Sequence, residues 1–521
     1  MSRVTINKSG KTNSYQIKCL LILTALFILL PPRAIAEEGN RDKSKALSLT
    51  LSDSVFLALR KNRTIESAYL NRVSQKYNLA VAEDEFLPDL SITPSGSYNS
   101  SESSASNRSA TGKLGTSFNV RQKVQTGGSF NFVWDNTVTR TKMKTTKDGM
   151  YSDSWALSFS QPLLKGGGID VATASQTIAR ISEEQNILSL KSTIMSTITS
   201  VIIAYRSYLQ TFRQLKITED SLERAKRLLE VNQALIDAGR MAKVEIVQTQ
   251  ADIANREFSL ISAQNSLDNA RLSLIQILDI DKQTRIDLVE EAEMTPLHPN
   301  LEECIAIALN NRPDYLQNLM SLRIAEINRE VTKNNRLWDL SLNAGASQAG
   351  SDPKLGPAEK PLGDIGRSDW NAGLQLTIPF GDVERHSSYV SSEIGLRNQK
   401  ISLQESKENI EVEIADKVRD VEMKLKQLEL AKLARELTRQ KLEIENEKLK
   451  TGRTTNFQIV TYESDLVSAE NNELDAIINY QNALTNLDLA LGTTLQTWKI
   501  DVKDEPESAK AILKKLDKEK K

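Results

Sequence analysis

The side chains able to do catalytic or metal chemistry are few and scattered. The chain has two histidines, His298 and His386, which lie in unrelated segments far apart in sequence. Its two cysteines are Cys19, inside a leader-like segment, and Cys304. A histidine-based metal site or a catalytic triad therefore lacks its parts. The many carboxylates fall at helical spacing among Lys and Arg, where they read as solvated faces with i,i+4 pairs. No cofactor and no metal are expected, and an enzyme of any kind is poorly supported. Two Gly-Arg pairs, Gly239-Arg240 and Gly452-Arg453, stand out instead. Each falls where one long helical pattern ends and another begins, and glycine suits the left-handed conformation that closes a helix. These residues point to a chain that reverses direction twice, at two matching places.

The N-terminus bounds the compartment. Arg3, Lys8, Lys11 and Lys18 precede an apolar stretch from Cys19 to Leu30, and Ala34-Ile35-Ala36 follows. That is the pattern of a signal peptide over residues 1–36, with the mature chain starting at Glu37. The apolar stretch is about twelve residues, short of the roughly twenty that a spanning helix needs. Cys19 opens that stretch and does not follow it, so it cannot be the lipid-bearing first residue of a lipoprotein. Past the leader, no segment approaches twenty consecutive apolar residues. A mature chain that enters a membrane must then do so as a β-barrel, since only helices and closed barrels satisfy their backbones in lipid. With only Cys304 left after cleavage, no internal disulfide forms. A formal net charge of -1 argues against a nucleic-acid partner.

The chain is internally duplicated. Leu51 to Leu59 returns as Leu301 to Leu309, each followed by Asn-Arg (Asn62-Arg63 and Asn311-Arg312). Leu157-Ser-Phe-Ser-Gln-Pro162 returns as Leu374-Gln-Leu-Thr-Ile-Pro379. The segments from Gly239 to Leu278 and from Gly452 to Leu491 align without a gap, pairing Val247 with Val460 and Asp252 with Asp465. The expected organisation is a first repeat over 37–290, with strands in 88–163 and a helical hairpin over 169–278. A second repeat follows over 291–495, with strands in 337–380 and a hairpin over 381–491, and a charged tail over 496–521.

Each repeat reads as helix, strands, very long helix, Gly-Arg turn, helix. The first helices are expected near 51–86 and 301–336, the long ones near 169–238 and 381–451. In the latter, Ile414, Val418, Val421, Leu425 and Leu428 step by four and three, the spacing of a coiled-coil seam. Strands alternate around Leu90-Ile92, Phe118-Val120, Phe130-Trp134, Trp155-Phe159 and Leu374-Ile378. The Ser-, Thr- and Asn-rich segments Asn99–Lys113 and Thr137–Ser154, and Gly350–Arg367, read as exposed loops. Pro88, Pro162 and Pro379 punctuate helix–strand junctions.

Lengths constrain the packing. At 1.5 Å per residue, 169–238 spans about 105 Å, and 241–278 covers only half of that. Stacking 301–336 on 241–278, and 51–86 on 454–491, gives two end-to-end returning paths of matching length. One chain then supplies four helical paths and at least four strands, too few to close a membrane barrel. Self-association follows. A trimer of four-strand contributions gives twelve strands, and the hairpin around Thr126-Gly127-Gly128 adds two more per chain if it joins the wall.

These motifs together resemble the TolC-type outer-membrane efflux proteins. The resemblance rests on Leu51…Asn62-Arg63, Phe86-Leu87-Pro88, Ser160-Gln161-Pro162-Leu163-Leu164 with Gly166-Gly167-Gly168, the turns Ala238-Gly239-Arg240 and Thr451-Gly452-Arg453, and Leu489-Ala-Leu491-Gly492, in that order and duplicated. It implies a mainly α fold with a membrane β-barrel: long antiparallel coiled-coil helices forming a periplasmic tunnel, under a barrel built by three chains in the outer membrane of a Gram-negative bacterium. It also implies a passive exit duct of a tripartite pump or type I secretion system. The implied partners are a second and third copy, a periplasmic adaptor, an inner-membrane RND or ABC transporter, and outer-membrane lipid. Gly239, Arg240, Gly452 and Arg453 would form the tip that receives the adaptor. Family members carry two pore-narrowing aspartates just past the second tip, where this chain has Gln458 and Thr461. Glu245 holds the position equivalent to Gln458 in the first repeat, and the expectation is that it pairs with a tip arginine across neighbouring helices to hold the pore closed. The competing reading, a soluble periplasmic coiled-coil structural or adaptor protein, explains the heptads and the leader but not the alternating strands with tryptophans near their ends.

Overall fold

The computed structural model describes residues 47–104, 107–142, 147–289, 296–354, 368–451 and 453–502. The proposed leader, Gly452, residues 355–367 of the expected third loop and residues 503–521 of the tail lie outside them.

Each half begins with two short helices: α1 (Leu51–Lys61) and α2 (Arg63–Asp84), then α6 (Leu301–Asn311) and α7 (Pro313–Asn334). The sequence suggested one continuous helix in each place. In the first, Asn62 turns extended (ψ 126°) and its side chain caps α2 by accepting from the Thr64 and Ile65 N–H groups. In the second, Pro313 opens α7 and holds Arg312 extended (ψ 120°), because proline's ring excludes the helical conformation from the residue before it. Thr50 closes a capping box with Asp53 at the start of α1, which holds the Asp53 carboxyl below the usual carboxylate range.

After α2 come four strands, β2 (Asp89–Ser104), β3 (Asn107–Lys123), β4 (Ser129–Lys142) and β5 (Lys147–Pro162). A one-turn α3 (Ile169–Ala172) leads into α4 (Ala174–Asp237), which hairpins into α5 (Glu245–Leu278). Among the described residues the second half has two strands, β7 (Asp339–Asp352) and β8 (Asp369–Thr377), then α8 (Val383–Lys450), α9 (Asn456–Leu491) and the short α10 (Thr494–Thr497). The long strands form one six-stranded antiparallel sheet in the order β2-β3-β4-β5-β7-β8. Asn99–Lys113 and Thr137–Ser154, expected as loops, are mostly strand. Their apolar alternation stops, but backbone pairing runs on from Tyr98↔Gly112 to Ser101↔Ser109, where the two serine hydroxyls bond at 3.0 Å. The loss of apolar alternation therefore does not mark where the ladder ends.

A second, two-stranded parallel sheet joins β1 (Leu47–Leu49) to β6 (Ile286–Leu288). Tyr205 on α4 donates to the carbonyls of Leu49 (3.1 Å) and Val289 (2.7 Å), and Tyr208 to that of Ile286 (3.1 Å). Around these lies a core of Val55, Ala58, Ile65, Ile194, Ile198, Val201, Ile202, Leu274 and Leu278. By length and composition α4 could cross a membrane, yet its apolar stretch builds this core. Leu495, Trp498, Ile500 and Val502 pack against it too, so the start of the 496–521 segment is docked.

The stacking differs from the pairing that helix lengths suggested. Asn62 donates to the carbonyl of Ile277 (2.8 Å) and Arg63 pairs with Asp279 (2.8 Å), so α1–α2 continue α5 within the first half. Arg312 donates to the carbonyl of Ala490 (3.3 Å), so α6–α7 continue α9 within the second. Both pairings balance in length. The parallel β1–β6 ladder and these end contacts select the one inside each half. Side by side run α2/α5, α4, α7/α9 and α8. The seam predicted in α8 is buried: Ile414, Val418, Val421 and Leu425 join Cys304, Ala308 and Leu487 in a second core.

Gly492 closes α9 with φ +75°, and a Cβ there would come within 2.9 Å of the Asn311 carbonyl. Gly239 has φ +69° but open space around it. Both alanine variants carry the left-handed penalty of about 1–2 kcal/mol. Thermal unfolding of the extracted protein is expected to show a clearly larger loss for Gly492→Ala than for Gly239→Ala.

Candidate docking tip and gate

The reversal between α4 and α5 is built by backbone chemistry. Gly239 in the left-handed region lets the Arg240 N–H reach back to the Leu235 carbonyl (2.8 Å), while the Gly239 N–H donates to Ile236 (2.9 Å). These are the bonds of a Schellman closure. The second reversal repeats the long bond, from the Arg453 N–H to the Lys448 carbonyl (2.9 Å). Arg240 and Arg453 are both exposed, so each turn presents its guanidinium to solvent.

One turn further in, Glu245 opens α5 and its carbonyl accepts from the Asn456 amide at 3.4 Å. Asn456 opens α9, two residues before Gln458. The structure thus brings Glu245 and Gln458 into one layer. Glu245 forms no ion pair with Arg240 or Arg453 among the described residues. Gln458 is turned along its own helix and donates to the Tyr462 hydroxyl (2.5 Å), whose ring lies under the Lys441 ammonium (3.6 Å to the centroid). Thr461 is exposed and its hydroxyl bonds back to the Phe457 carbonyl (2.9 Å).

The residues that hold this layer were not singled out from sequence. The Asn232 amide of α4 donates to Thr249 Oγ1 and to Asn456 Oδ1, both at 2.8 Å, and Asn456 donates to Thr249 at 2.9 Å. All three side chains are buried, at 0–1% exposure. This polar knot ties three helices just inside the tip. Leu228, Leu442, Leu449, Ile459 and Leu466 form an apolar cluster beside it. A signal was present: Ser221, Ala225, Leu228, Asn232 and Leu235 step by four and three, so Asn232 is a polar residue at a seam position.

The knot is the lowest rung of a polar seam between α4 and α9. Above it, Arg224 pairs with Glu463 (2.9 Å) and Glu470 (3.5 Å), Gln210 donates to Asp475 (2.7 Å), and buried Arg206 donates to the Gln481 carbonyl (2.8 Å) and Thr485 Oγ1 (2.7 Å). Burial pushes the Glu470 carboxyl above the usual range, against the pull of Arg224. In the second half Glu445 takes the place of Asn232. It accepts from Thr454 and Lys448, which hold it below the usual range. Directional contacts like these bind where they are made but leave little apolar area behind when exchanged. Nothing in the seam offers a nucleophile–base pair, and no cluster of metal-ligating residues occurs among the described residues.

The sequence model of the outer membrane efflux protein family matches residues 55–279 and 304–493, the two halves in turn. A comparison with curated protein sequences gives no match. Among solved structures, CusC superposes with a TM-score of 0.64 at 15% identity, over 85% of this chain and 92% of that one. The Campylobacter jejuni CmeC outer membrane channel gives 0.62 at 16%, over 87% and 90%. The open state of the Neisseria gonorrhoeae MtrE outer membrane channel gives 0.58 at 17%, over 85% and 89%. At these identities the likeness is one of fold.

Two measurements probe the layer. Asn456→Ala leaves one of the two Asn232 amide N–H groups without its acceptor while the other keeps Thr249, at about 1–3 kcal/mol for a buried unsatisfied group. Amide hydrogen exchange around 232 and 249 is expected to accelerate while the β1–β6 region keeps its protection. For Glu470 the folded value is raised, so the ionised form is what folding disfavours, and that cost fades as pH falls through the carboxylate range. Glu470→Gln should therefore raise the unfolding temperature at pH 7, with the gap closing on acidification. An unchanged gap would remove the burial cost.

Proposed function

The chain belongs to the outer membrane efflux protein family, and from that premise we propose that it is the exit duct of a tripartite efflux pump or type I secretion system. It is an outer-membrane protein with helices in the periplasm. Three copies form the duct, residues 1–36 direct its export, and it conducts passively, leaving energy to an inner-membrane RND or ABC transporter. The observation that carries this reading is the joining, in one chain, of a sheet polar on one face and apolar on the other to four parallel helical paths that end in two exposed turns. A sheet of that kind belongs between lipid and water. Helices of 64 and 68 residues reach about 100 Å, a length matched to crossing the periplasm.

At the far end, Gly239-Arg240 and Gly452-Arg453 receive the hairpins of a periplasmic adaptor, the arginines supplying charge complementarity. Gly452 is assigned by its place in the duplicated turn. The Glu245, Gln458 and Thr461 layer forms the constriction. With no aspartate pair, Gln458 and Thr461 narrow the pore by size and polarity, and Glu245 meets a tip arginine of the neighbouring copy rather than of its own. Opening exchanges the polar contacts of the α4–α9 seam.

Light scattering and electron microscopy of detergent-extracted protein are expected to give three chains, with a helical tube about 100 Å long below a detergent belt; a soluble particle without a belt overturns the duct. In planar bilayers Glu245→Gln should raise the open probability of the closed pore. Unchanged conductance and unchanged antibiotic susceptibility would remove Glu245 from the gate. The double variant Arg240→Glu with Arg453→Glu should abolish export while leaving trimers intact, and, by removing the partner of Glu245, should raise the open probability in bilayers as Glu245→Gln does.

A further inference from the structure

The two repeats do not contribute equal numbers of strands. Asp89-Leu90-Ser91 at the start of β2 matches Asp339-Leu340-Ser341 at the start of β7, and the Leu157–Pro162 end of β5 matches Leu374–Pro379 at β8. In the second repeat these counterparts are neighbours, β7 paired with β8. In the first they are separated by β3 and β4. The first repeat therefore carries an inserted hairpin.

Two observations put that hairpin in the membrane wall, and a third is compatible with it. The first is register. A single row of paired residues crosses all six strands: Leu90, Val120, Phe132, Leu157, Ala346 and Trp370. The adjoining row on the opposite face reads Asp89, Arg121, Asn131, Ser158, Gly345 and Asn371. β3 and β4 thus alternate in phase with the others, apolar on the shared face and polar on the reverse. A plug or a hairpin standing in water has no need of that phase, whereas a wall between lipid and lumen requires it.

The second is anchorage. The β3–β4 turn is fastened to the junction where the sheet passes into the helices. The Gln161 amide donates to the Thr126 carbonyl (3.0 Å), Thr126 Oγ1 donates back to Gln161 Oε1 (2.7 Å), and the Gly168 N–H donates to the Thr126 carbonyl (3.2 Å). Gly127, at φ +94°, lies so close to Gly166 that a Cβ would come within 2.2 Å of its carbonyl oxygen. Lys123 pairs with Glu85 at the end of α2 (2.8 Å), and Glu85 in turn accepts from Ser175 (2.6 Å).

The third is parity. Six strands alternating in direction leave β2 and β8 antiparallel to each other at the two open edges, so β8 of one copy can pair with β2 of the next and the ring closes without a clash of direction. We propose that the three-chain duct closes as an eighteen-stranded barrel, six strands per chain, in place of the twelve that two hairpins per chain would supply. This rests on the trimeric reading above and goes beyond it. With strands about 4.8 Å apart and tilted about 40°, eighteen strands give a backbone diameter of about 36 Å against about 24 Å for twelve. The outer portal then has more than twice the cross-section, and passage is limited at the helical tip, not in the barrel. Bulky cargo that clears the tip meets no second constriction.

Electron microscopy of the extracted trimer in lipid nanodiscs tests this directly. Eighteen wall strands about 36 Å across are expected. A trimeric duct with a twelve-stranded wall and β3–β4 outside it overturns the inference and leaves the duct standing, whereas a particle that never enters the nanodisc overturns both. Removing residues 105–146 and joining β2 to β5, as β7 joins β8, should narrow the barrel to about 24 Å. In case that variant does not assemble, thiol labelling of full-length protein gives an independent answer. In a Cys304→Ser background, Arg121→Cys and Asp135→Cys on the polar face should react with a membrane-impermeant maleimide in proteoliposomes. Val120→Cys and Phe132→Cys should react at least tenfold more slowly. Equal labelling of both faces places the hairpin in water and sinks the proposal.

Discussion

Backbone amides cannot be left unpaired in hydrocarbon, and most of this architecture follows from that constraint. A six-stranded sheet with an apolar face has two open edges, β2 and β8. In water an edge can be solvated. In a bilayer it must find another strand, and the described residues of the chain have none left to offer. Association of copies is therefore a condition for the sheet to exist in lipid at all. The helices below inherit the same symmetry, because each long helix is covalently continuous with a strand of the wall; at the β5–α4 junction the Asn334 side chain accepts from the Gly166 N–H at 2.6 Å.

The helical part divides its labour between two kinds of contact. Near the β1–β6 collar, contacts are apolar and two tyrosine hydroxyls fix the collar's backbone. Polar contacts between the halves run from Arg206, beside those tyrosines, through Arg224 to the Asn232 knot, where the apolar cluster of Leu228, Leu442, Leu449, Ile459 and Leu466 lies next to them. Apolar packing is non-directional and costs much to separate. Polar pairs between helices can be exchanged for other polar pairs or for water at modest net cost.

The amino-acid sequence by itself determined the duplication, the Gly-Arg reversals, the α8 seam and the alternation of the strands, because each is written in residues close together in the chain. The 3.6- and 2-residue periods and the left-handed glycine are local physics. The breaks at Asn62 and Pro313, where the sequence reads as continuous helix over 51–86 and 301–336, carry only the local signals of a cap residue and a proline. Only the tertiary structure decided which short helices continue which hairpin, since two pairings of equal length satisfied the same arithmetic. It also decided that the polar segments after Tyr98 and before Ser154 remain strand, that β3 and β4 join the sheet, and that Asn232, Thr249 and Asn456 meet. These rest on contacts between residues far apart in sequence, where hydrogen-bond registers and end-to-end packing choose among arrangements that local pattern leaves equal.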